Sequence, residues 1–316
     1  MSQPKKITIV VPFLNEKENL PVLLERVAGV FATRQEDWEL LLVDDGSTDG
    51  SAEWAVAQAQ ANRHVRVVRL SRNFGHQLAI TAGLDRADGD AVVVMDADLQ
   101  DPPETIGAMI DKWREGFEVV YAVRRSRAGE TWLKKYLAAG FYRVFRRLAK
   151  VNVPMDAGDF RLVDRCVVDA LKEMRELHRF MRGLTCWVGF RQAAVEYDRA
   201  ARFAGETKYP VWKSARLAFD AITSFSASPL RWIAVLGVGI CLLAALWVVY
   251  VMVHALVNPG SMQKGWASTI AVMVFLGGVQ LVSIGMLGQY VSRIFEEGKR
   301  RPLYLVRTDT KAETAS

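Results

Sequence analysis

The chain contains 316 residues, 51% of them hydrophobic, with three cysteines and a formal net charge of +6. The cysteines are odd in number and have no metal-ligand spacing, which argues against a disulfide framework and for a reducing compartment. The positive charge is concentrated at 124–150 and 199–216. This distribution favours binding to phosphates or to an anionic membrane surface, with nucleic acid as the alternative partner.

The first 125 residues alternate between short apolar runs and helical patterns. The helical patterns cover Asn19–Phe31, a segment from Thr48 or Asp49 to Ala61, His76–Ala87 and Glu104–Glu115. The apolar runs predict strands at Ile7–Phe13, Trp38–Val43, Val65–Leu70, Ala91–Met95 and Val119–Val123. This alternation predicts an α/β fold with a mostly parallel, doubly wound sheet.

Acidic side chains follow three of the predicted strands. Asn15–Glu16 follows the first strand, Asp44–Asp45 the second, and Asp96 and Asp98 the fourth. The carboxyl ends of such strands share one rim, where open α/β sheets bind ligands. Asp96 and Asp98 could therefore hold a hard cation that also contacts a substrate phosphate. The alternative is a set of ordinary polar turns, in which Asp is common. No G-x-G-x-x-G follows the first strand and no phosphate-binding GxxxxGK[ST] loop is present.

Basic amphipathic segments follow the predicted sheet. Thr131–Lys150 has one apolar helical face flanked by lysines, arginines and aromatic residues, which is typical of a helix at a membrane interface. An ordinary surface helix on the sheet is the alternative. Tyr209–Ser226 could form a second interfacial helix.

Two stretches near the C-terminus contain no Asp, Glu, Lys or Arg. They are Ile233–Val257 and Ala267–Tyr290, and each is long enough to cross a bilayer as a helix. A buried hairpin in a soluble core is the alternative. Basic residues at Arg231 and at Lys299–Arg301 flank the pair, so the positive-inside rule puts both flanks in the cytoplasm. Two membrane spans argue against nucleic acid as the partner.

These patterns predict three regions. Residues 1–227 form a cytoplasmic domain, which no signal peptide precedes. Residues 228–295 form a transmembrane hairpin, and residues 296–316 form a basic cytoplasmic tail, disordered after Arg307.

Eight motifs extend along nearly the whole chain. They are VVPFLNE (10–16), VDDGSTDG (43–50), RNFGHQLAI (72–80), MDADLQDPPE (95–104), AGDFRL (157–162), RFMRG (179–183), RFAGETKY (202–209) and RRPLY (300–304). With these motifs the chain resembles family 2 glycosyltransferases of the GT-A fold. More narrowly, it resembles the bacterial polyprenyl-phosphate glycosyltransferases of the bactoprenol glucosyltransferase and dolichol-phosphate mannose synthase group.

The resemblance assigns roles to the matching residues. Nucleotide binding falls to Pro12, Phe13, Glu16, Asp44, Asp45 and Asp96. Mg²⁺ or Mn²⁺ is assigned to Asp96, Asp98 and Gln100. Contacts with phosphates and the acceptor are assigned to Arg124, Arg161, Arg202 and Lys208, although Arg161 could instead pair with a site carboxylate.

Two carboxylates, Asp159 and Asp156, are the candidates for a catalytic role at the acceptor. The acceptor of this family is a phosphate monoester whose second pKa is about 6, so it is already ionised near neutral pH. A general base is then nearly superfluous, and the carboxylate would orient the acceptor or stabilise charge. For Asp156, capping of a helix is the alternative role.

The resemblance implies an inverting, metal-dependent transfer of a hexose to undecaprenyl phosphate at the cytoplasmic face of a bacterial inner membrane. UDP-glucose is the first choice of donor. The resemblance also implies a homo-oligomer, with a tetramer favoured. The product would serve cell-envelope polysaccharide or lipopolysaccharide modification. Alternatives are a relative that transfers aminoarabinose, mannose or an N-acetylhexosamine, a processive polysaccharide synthase, or a non-catalytic membrane scaffold. The synthase is disfavoured because SPLRW (228–232) lacks the Gln of Gln-x-x-Arg-Trp.

Overall fold

The structure, a computed structural model, describes residues 5–125, 157–198, 228–257 and 265–313. The chain divides into two compact units. One comprises Met1–Val211 together with Pro302–Ser316, and the other comprises Trp212–Arg301. Several predictions lie outside the described residues: the interfacial helices at 131–150 and 209–226, Asp156, Arg202 and Lys208.

The first unit is built on an eight-stranded mixed sheet. Its strands are β1 (Lys6–Phe13), β2 (Asp37–Asp44), β3 (Val65–Leu70), β4 (Ala91–Val94), β5 (Val119–Arg124), β6 (Ala157–Asp164), β7 (Gln192–Tyr197) and β8 (Val306–Asp309). Their spatial order is β7-β5-β6-β4-β1-β2-β3-β8. Only β6 and β8 run antiparallel to their neighbours among these strands. The five predicted strands and the mostly parallel sheet are confirmed.

Helices cover the sheet. They are α1 (Asn19–Phe31), α2 (Ser51–Ala61), α3 (His76–Arg86), α4 (Thr105–Arg114), α5 (Arg165–Glu173) and α6 (Met181–Trp187), with the short α9 (Thr310–Glu313) at the end. Strands β1 and β4 are buried on both faces, which explains why they read as continuous apolar runs. On one face, side chains of α1 and α4 share a hydrophobic core with alternate residues of β1, Ile7, Ile9 and Val11. On the other, Gly83 lets α3 approach β1 closely, since a Cβ there would lie 2.2 Å from Val10 Cγ1.

Strand β6 was not predicted, and it changes the sheet at the rim. The AGDFRL segment inserts between β4 and β5 and is antiparallel to both, with Val94 opposite Arg161. Because it is antiparallel, its first residues lie at the same rim as the carboxyl ends of its neighbours. Gly158 and Asp159 are thereby brought beside the turn that carries Asp96 and Asp98.

The predicted disorder after Arg307 is wrong for residues 308–313. Strand β8 pairs antiparallel with β3, and α9 follows it directly. The Asp309 carboxylate accepts two hydrogen bonds from Arg66, at 3.0 and 2.8 Å, and the backbone N–H of Val67 donates to Thr310 Oγ1 at 3.1 Å. Long-range polar contacts therefore fix a segment that has little apolar content of its own.

The second unit contains two long helices, α7 (Ser228–Val257) and α8 (Trp266–Gly298). Both predicted spans lie within these helices, and many described apolar side chains on them are exposed, for example Leu243 and Leu281. Within the described residues, one segment is long and apolar enough to cross a membrane, Phe275–Gly298, whereas the apolar stretch Ile233–Trp247 is shorter. Insertion of both helices stays a prediction.

Candidate active site

The loops after β1 and β2 are tied together at the rim. The backbone N–H of Asn15 donates to Ser47 Oγ at 3.0 Å, and Asn15 Oδ1 accepts from the N–H of Thr48 at 2.8 Å. Asn15 itself has a positive φ of 59°. The short polar side chain of asparagine tolerates this left-handed conformation better than most residues. The two loops thus form one joined wall.

Except for Asp96, the predicted nucleotide-binding residues lie on or next to this wall. Pro12 and Phe13 end β1 and are buried, so they form a floor. Glu16 is half-buried and accepts from Asn19 Nδ2 at 2.5 Å. Asp44 is buried, accepts from the N–H of Ser47 at 2.8 Å and lies 3.3 Å from Arg69. Their contact with a nucleotide stays a prediction.

Asp45 is a buried anchor for the loop before α3. Its two carboxylate oxygens accept from the backbone N–H groups of Phe74, at 2.7 Å, and Gly75, at 2.9 Å. Burial raises the pKa of Asp45, and these two hydrogen bonds offset only part of that effect. The next residue, Gly46, has φ +87°, and a Cβ there would lie 2.9 Å from the backbone N of Asn73. Only glycine fits this close approach without a shift.

The turn after β4 presents the predicted metal ligands. Asp98 Oδ1 accepts from the N–H of Gln100 at 3.1 Å. Leu99, between them, is buried and has a positive φ of 58°, a strained backbone for a branched residue that tends to occur at functional sites. The turn is thereby held in a shape in which its polar side chains alternate with buried ones.

Asp96 carries an unsatisfied oxygen. Its Oδ1 is buried and accepts no hydrogen bond among the described residues. Burial raises the pKa of Asp96 to about 6, with further upward contributions from the neighbouring carboxylates. A divalent cation fits such an oxygen, and Asp98 and Gln100 would supply further oxygen ligands. No group of three His, Cys, Asp or Glu in the described part of the chain has metal-binding geometry. The remaining ligands would therefore come from a substrate diphosphate and water.

Asp159 lies in a charged cluster with side chains from α3 and α6. Its oxygens accept from Arg182 Nε at 2.9 Å and Nη2 at 3.1 Å, and from Gln77 Nε2 at 3.5 Å. His76 Nε2 lies 3.6 Å from Asp159 Oδ2 and 3.4 Å from Asp96 Oδ1, which links the two carboxylates. Neither His76 nor Arg182 is among the site residues that the sequence predicts.

The cluster determines the charge state of Asp159. Burial raises the pKa of its carboxyl, but the hydrogen bond from His76 and the charge of Arg182 outweigh burial and hold it well below its usual range. Burial also lowers the pKa of His76, and the neighbouring carboxylates reverse this, so its net shift is upward. Asp159 is thus a stable anion and a poor proton acceptor, which favours the orienting role over the general base.

The position of Arg161 does not fit the predicted contact of this side chain with a phosphate. It is 5% exposed, and its Nη atoms donate to Gly158 O, at 2.8 Å, and to Thr185 Oγ1. Its charge helps to lower the pKa of Asp159. The alternative, an electrostatic pairing with a site carboxylate, fits this position.

Arg124 ends β5 at the rim, beside the start of β6. Its Nε donates to Tyr197 Oη at 3.1 Å, and Tyr197 in turn donates to Asp101. A Cβ on Gly158 would lie 3.7 Å from Arg124 Nη2, so this guanidinium is adjacent to the residue that precedes Asp159. Of the four residues assigned to phosphate, Arg124 is the one that the described structure places at the rim, where it is half-buried.

Comparison with known proteins identifies the family. The family model "Glycosyl transferase family 2" matches residues 8–172, more than half of the chain. A second family model, "GtrB C-terminal hairpin", matches residues 228–294. The chain belongs to glycosyl transferase family 2. It is therefore a glycosyltransferase, and the family 2 resemblance of its motifs is confirmed.

The similarity to full-length relatives covers nearly the whole chain. An uncharacterized glycosyltransferase of Synechocystis sp. is 46% identical over 95% of this chain and 94% of its own length. The bactoprenol glucosyl transferase of Shigella phage SfV is 38% identical over 96% of this chain and 99% of its own length. Mannosyl-3-phosphoglycerate synthase from Rubrobacter xylanophilus is similar in structure, with a TM-score of 0.50, 18% identity and coverage of 72% and 74%. The last similarity concerns the fold alone and agrees with the GT-A-like mixed α/β architecture.

Proposed function

We propose that this family 2 glycosyltransferase moves a hexose from a nucleotide diphosphate sugar to the phosphate of a polyprenyl lipid such as undecaprenyl phosphate. The observation that carries the proposal is the rim cluster. In it, Asp96 on the turn after β4 has an oxygen without a hydrogen bond, and His76 links Asp96 to the Arg182-bound Asp159. The bactoprenol glucosyl transferase of Shigella phage SfV, which aligns over 96% of this chain, supports the acceptor.

The donor would lie with its diphosphate at the turn after β4. A divalent cation, Mg²⁺ or Mn²⁺, held by Asp96, Asp98 and Gln100 would neutralise charge on the leaving diphosphate. Asp45 and the joined wall of the β1 and β2 loops would hold the nucleobase. UDP-glucose is the first choice of donor, by similarity to the glucosyl transferases.

The acceptor phosphate would attack the anomeric carbon directly and invert its configuration. The phosphate oxygen is already ionised, so the step needs no proton acceptor, in agreement with the lowered pKa of Asp159. Asp159, held by Arg182, would instead orient the groups around the sugar. Arg124, with Arg202 and Lys208, would hold substrate phosphate.

The lipid acceptor gives the hairpin a role. A polyprenyl chain cannot leave the bilayer without exposing a large apolar surface to water. We propose that α7 and α8 insert into the bacterial inner membrane, with residues 1–227 in the cytoplasm, and that the enzyme forms a homo-oligomer. The exposed apolar side chains of α8 support insertion.

The test is a donor panel. Purified protein is incubated with Mn²⁺, undecaprenyl phosphate and UDP-glucose, UDP-N-acetylglucosamine, GDP-mannose or a UDP-linked aminoarabinose, and the lipid product is weighed by mass spectrometry. The expected product is a hexosyl monophosphate lipid from UDP-glucose. A product from another donor would correct the sugar, and no lipid-linked sugar from any donor would overturn the proposal.

A further inference from the structure

Three side chains from three separate elements form a hydrogen-bonded chain at the rim. Asp101 lies on the turn after β4, Tyr197 is the last residue of β7 and Arg124 is the last residue of β5. Arg124 Nε donates to Tyr197 Oη at 3.1 Å, and Tyr197 Oη donates to Asp101 Oδ1. Asp101 directly follows Gln100, a predicted metal ligand on the same turn, so the hydrogen-bonded chain connects this turn to Arg124.

The direction of these hydrogen bonds is fixed by chemistry. A guanidinium can only donate and an ionised carboxylate can only accept, so the Tyr197 hydroxyl must accept from one and donate to the other. Asp101 is 3% exposed and Tyr197 is 5% exposed, which removes competing water. The Tyr197 ring is held by Phe160, which meets it edge-on with 6.1 Å between ring centroids. The hydroxyl therefore has one available orientation.

This arrangement restricts Arg124. Its Nε is occupied by Tyr197, which sets the plane of the guanidinium, and Nη2 lies beside Gly158. A planar guanidinium binds phosphate through a pair of N–H groups along one edge, so a fixed plane gives a fixed binding edge. The edge that remains is the one formed by the Nη atoms.

We propose that Tyr197 is a positioning residue that fixes the binding edge of Arg124 toward a substrate phosphate oxygen, with Asp101 as its anchor on the turn after β4. This inference rests on the proposed function, since that function supplies the phosphate. Two phosphates have the required chemistry, the acceptor monoester and the donor diphosphate, and separate binding measurements distinguish them.

The test compares two tyrosine hydroxyls that each lie between an arginine and an aspartate. Tyr197→Phe removes the hydroxyl between Asp101 and Arg124. Tyr304→Phe is a matched control, because Tyr304 Oη donates to Asp85 at 2.7 Å and accepts from Arg86 at 2.9 Å, away from the rim. Burial first, and the bond to an aspartate second, raise the pKa of each tyrosine to about 12, which marks the two environments as alike.

The readouts are the dissociation constants of undecaprenyl phosphate and of UDP-glucose with Mn²⁺, both measured without turnover, and the melting temperature. Both variants should lose similar stability. Only Tyr197→Phe should raise one dissociation constant by about tenfold, the effect of one charge-assisted hydrogen bond. A rise for undecaprenyl phosphate assigns Arg124 to the acceptor, and a rise for UDP-glucose assigns it to the donor diphosphate.

A double-mutant cycle separates positioning from general support of the fold. If Tyr197 acts through Arg124, then Tyr197→Phe adds nothing to the effect of Arg124→Met on that dissociation constant. Arg124→Lys retains the charge but not the fixed edge, so it should match Tyr197→Phe, and it serves as the test if Tyr197→Phe does not fold.

Two outcomes overturn the inference: both dissociation constants in Tyr197→Phe stay within about twofold of wild type, or the effects of the two single variants multiply in the double variant. If Arg124→Lys is used instead, unchanged dissociation constants for both substrates also overturn the inference. If the wild-type protein binds both substrates but forms no lipid-linked sugar, the proposed function alone is contradicted. A wild-type protein that binds neither substrate contradicts both.

Discussion

Replacing Arg182 with methionine tests the charged cluster around Asp159. In the native protein the Asp159 side chain is 7% exposed, and Arg182 donates two hydrogen bonds to it, at 2.9 and 3.1 Å. Methionine has a similar length and no charge, so Arg182→Met removes both hydrogen bonds and leaves the carboxylate buried. His76 remains within 3.6 Å of Asp159 as its nearest basic neighbour.

The size of the effect follows from burial. Breaking a fully buried ion pair costs about 3–5 kcal/mol, because it leaves an uncompensated charge. Arg182 is 32% exposed and His76 still offsets part of the charge, so we expect a smaller loss than for a fully buried pair, about 2 kcal/mol. For a domain of roughly 200 residues this lowers the melting temperature by about 4–8 °C. Movement of Asp159 should also lower kcat by about 10- to 100-fold, the cost of a small misplacement of a site group.

The assay compares thermal unfolding and the rate of lipid-linked sugar formation for wild type, Arg182→Met and the control Arg175→Met. Arg175 forms a single hydrogen bond to Asp85 at 2.7 Å, and its side chain is 50% exposed. Such surface pairs contribute about 0–1 kcal/mol. The reasoning is refuted if Arg182→Met destabilises the protein no more than Arg175→Met and leaves kcat unchanged.

Three further predictions concern Asp45 at the joined wall, the ion pair of Arg66 with Asp309, and strand β8. Asp45→Asn turns an amide –NH₂ toward a backbone N–H, so calorimetry should show UDP–Mn²⁺ binding weakened by about tenfold, and unchanged affinity would contradict it. Burial raises the pKa of Asp309, but Arg66 outweighs burial and the net pKa is lowered. The stability advantage of wild type over Asp309→Asn should therefore be full above roughly pH 4 and shrink as the pH falls toward 3 in denaturation curves, whereas a constant advantage would exclude this pair as its source. Finally, residues 1–227 alone should melt at a lower temperature than the same segment joined by a flexible linker to 302–316, and equal melting temperatures would show that β8 adds nothing.

The strands that could be predicted are those with continuous apolar runs. β1 and β4 are buried on both faces, so their sequences alone report their environment. β6 escaped prediction because Asp159 and Arg161 interrupt its apolar pattern, although both are buried in the fold. β8 escaped because its sequence, VRTD, is polar, and its stability comes from Arg66, which lies 243 residues away in the chain.

The candidate site likewise contains residues that could be predicted from the sequence and residues that could not. Asp45, Asp96 and Asp98 could be located from the rule that parallel strand ends share a rim. The partners of Asp159 and Asp101 could not, because they depend on how distant elements meet: Gln77 is 82 residues from Asp159, and Tyr197 is 96 residues from Asp101. Single histidines, arginines and tyrosines carry no spacing signal, so only the fold reveals His76 and Tyr197 as members of the site.

The central claim is that the carboxylates of the turn after β4 support sugar transfer to a polyprenyl phosphate. The most direct measurement is mass spectrometry of the lipid fraction after wild type or Asp98→Ala is incubated with Mn²⁺, UDP-glucose and undecaprenyl phosphate. We expect a hexosyl monophosphate lipid from wild type and none from Asp98→Ala, which should remain folded with an unchanged melting temperature. Metal-dependent formation of the same lipid by Asp98→Ala at the wild-type rate would contradict the account.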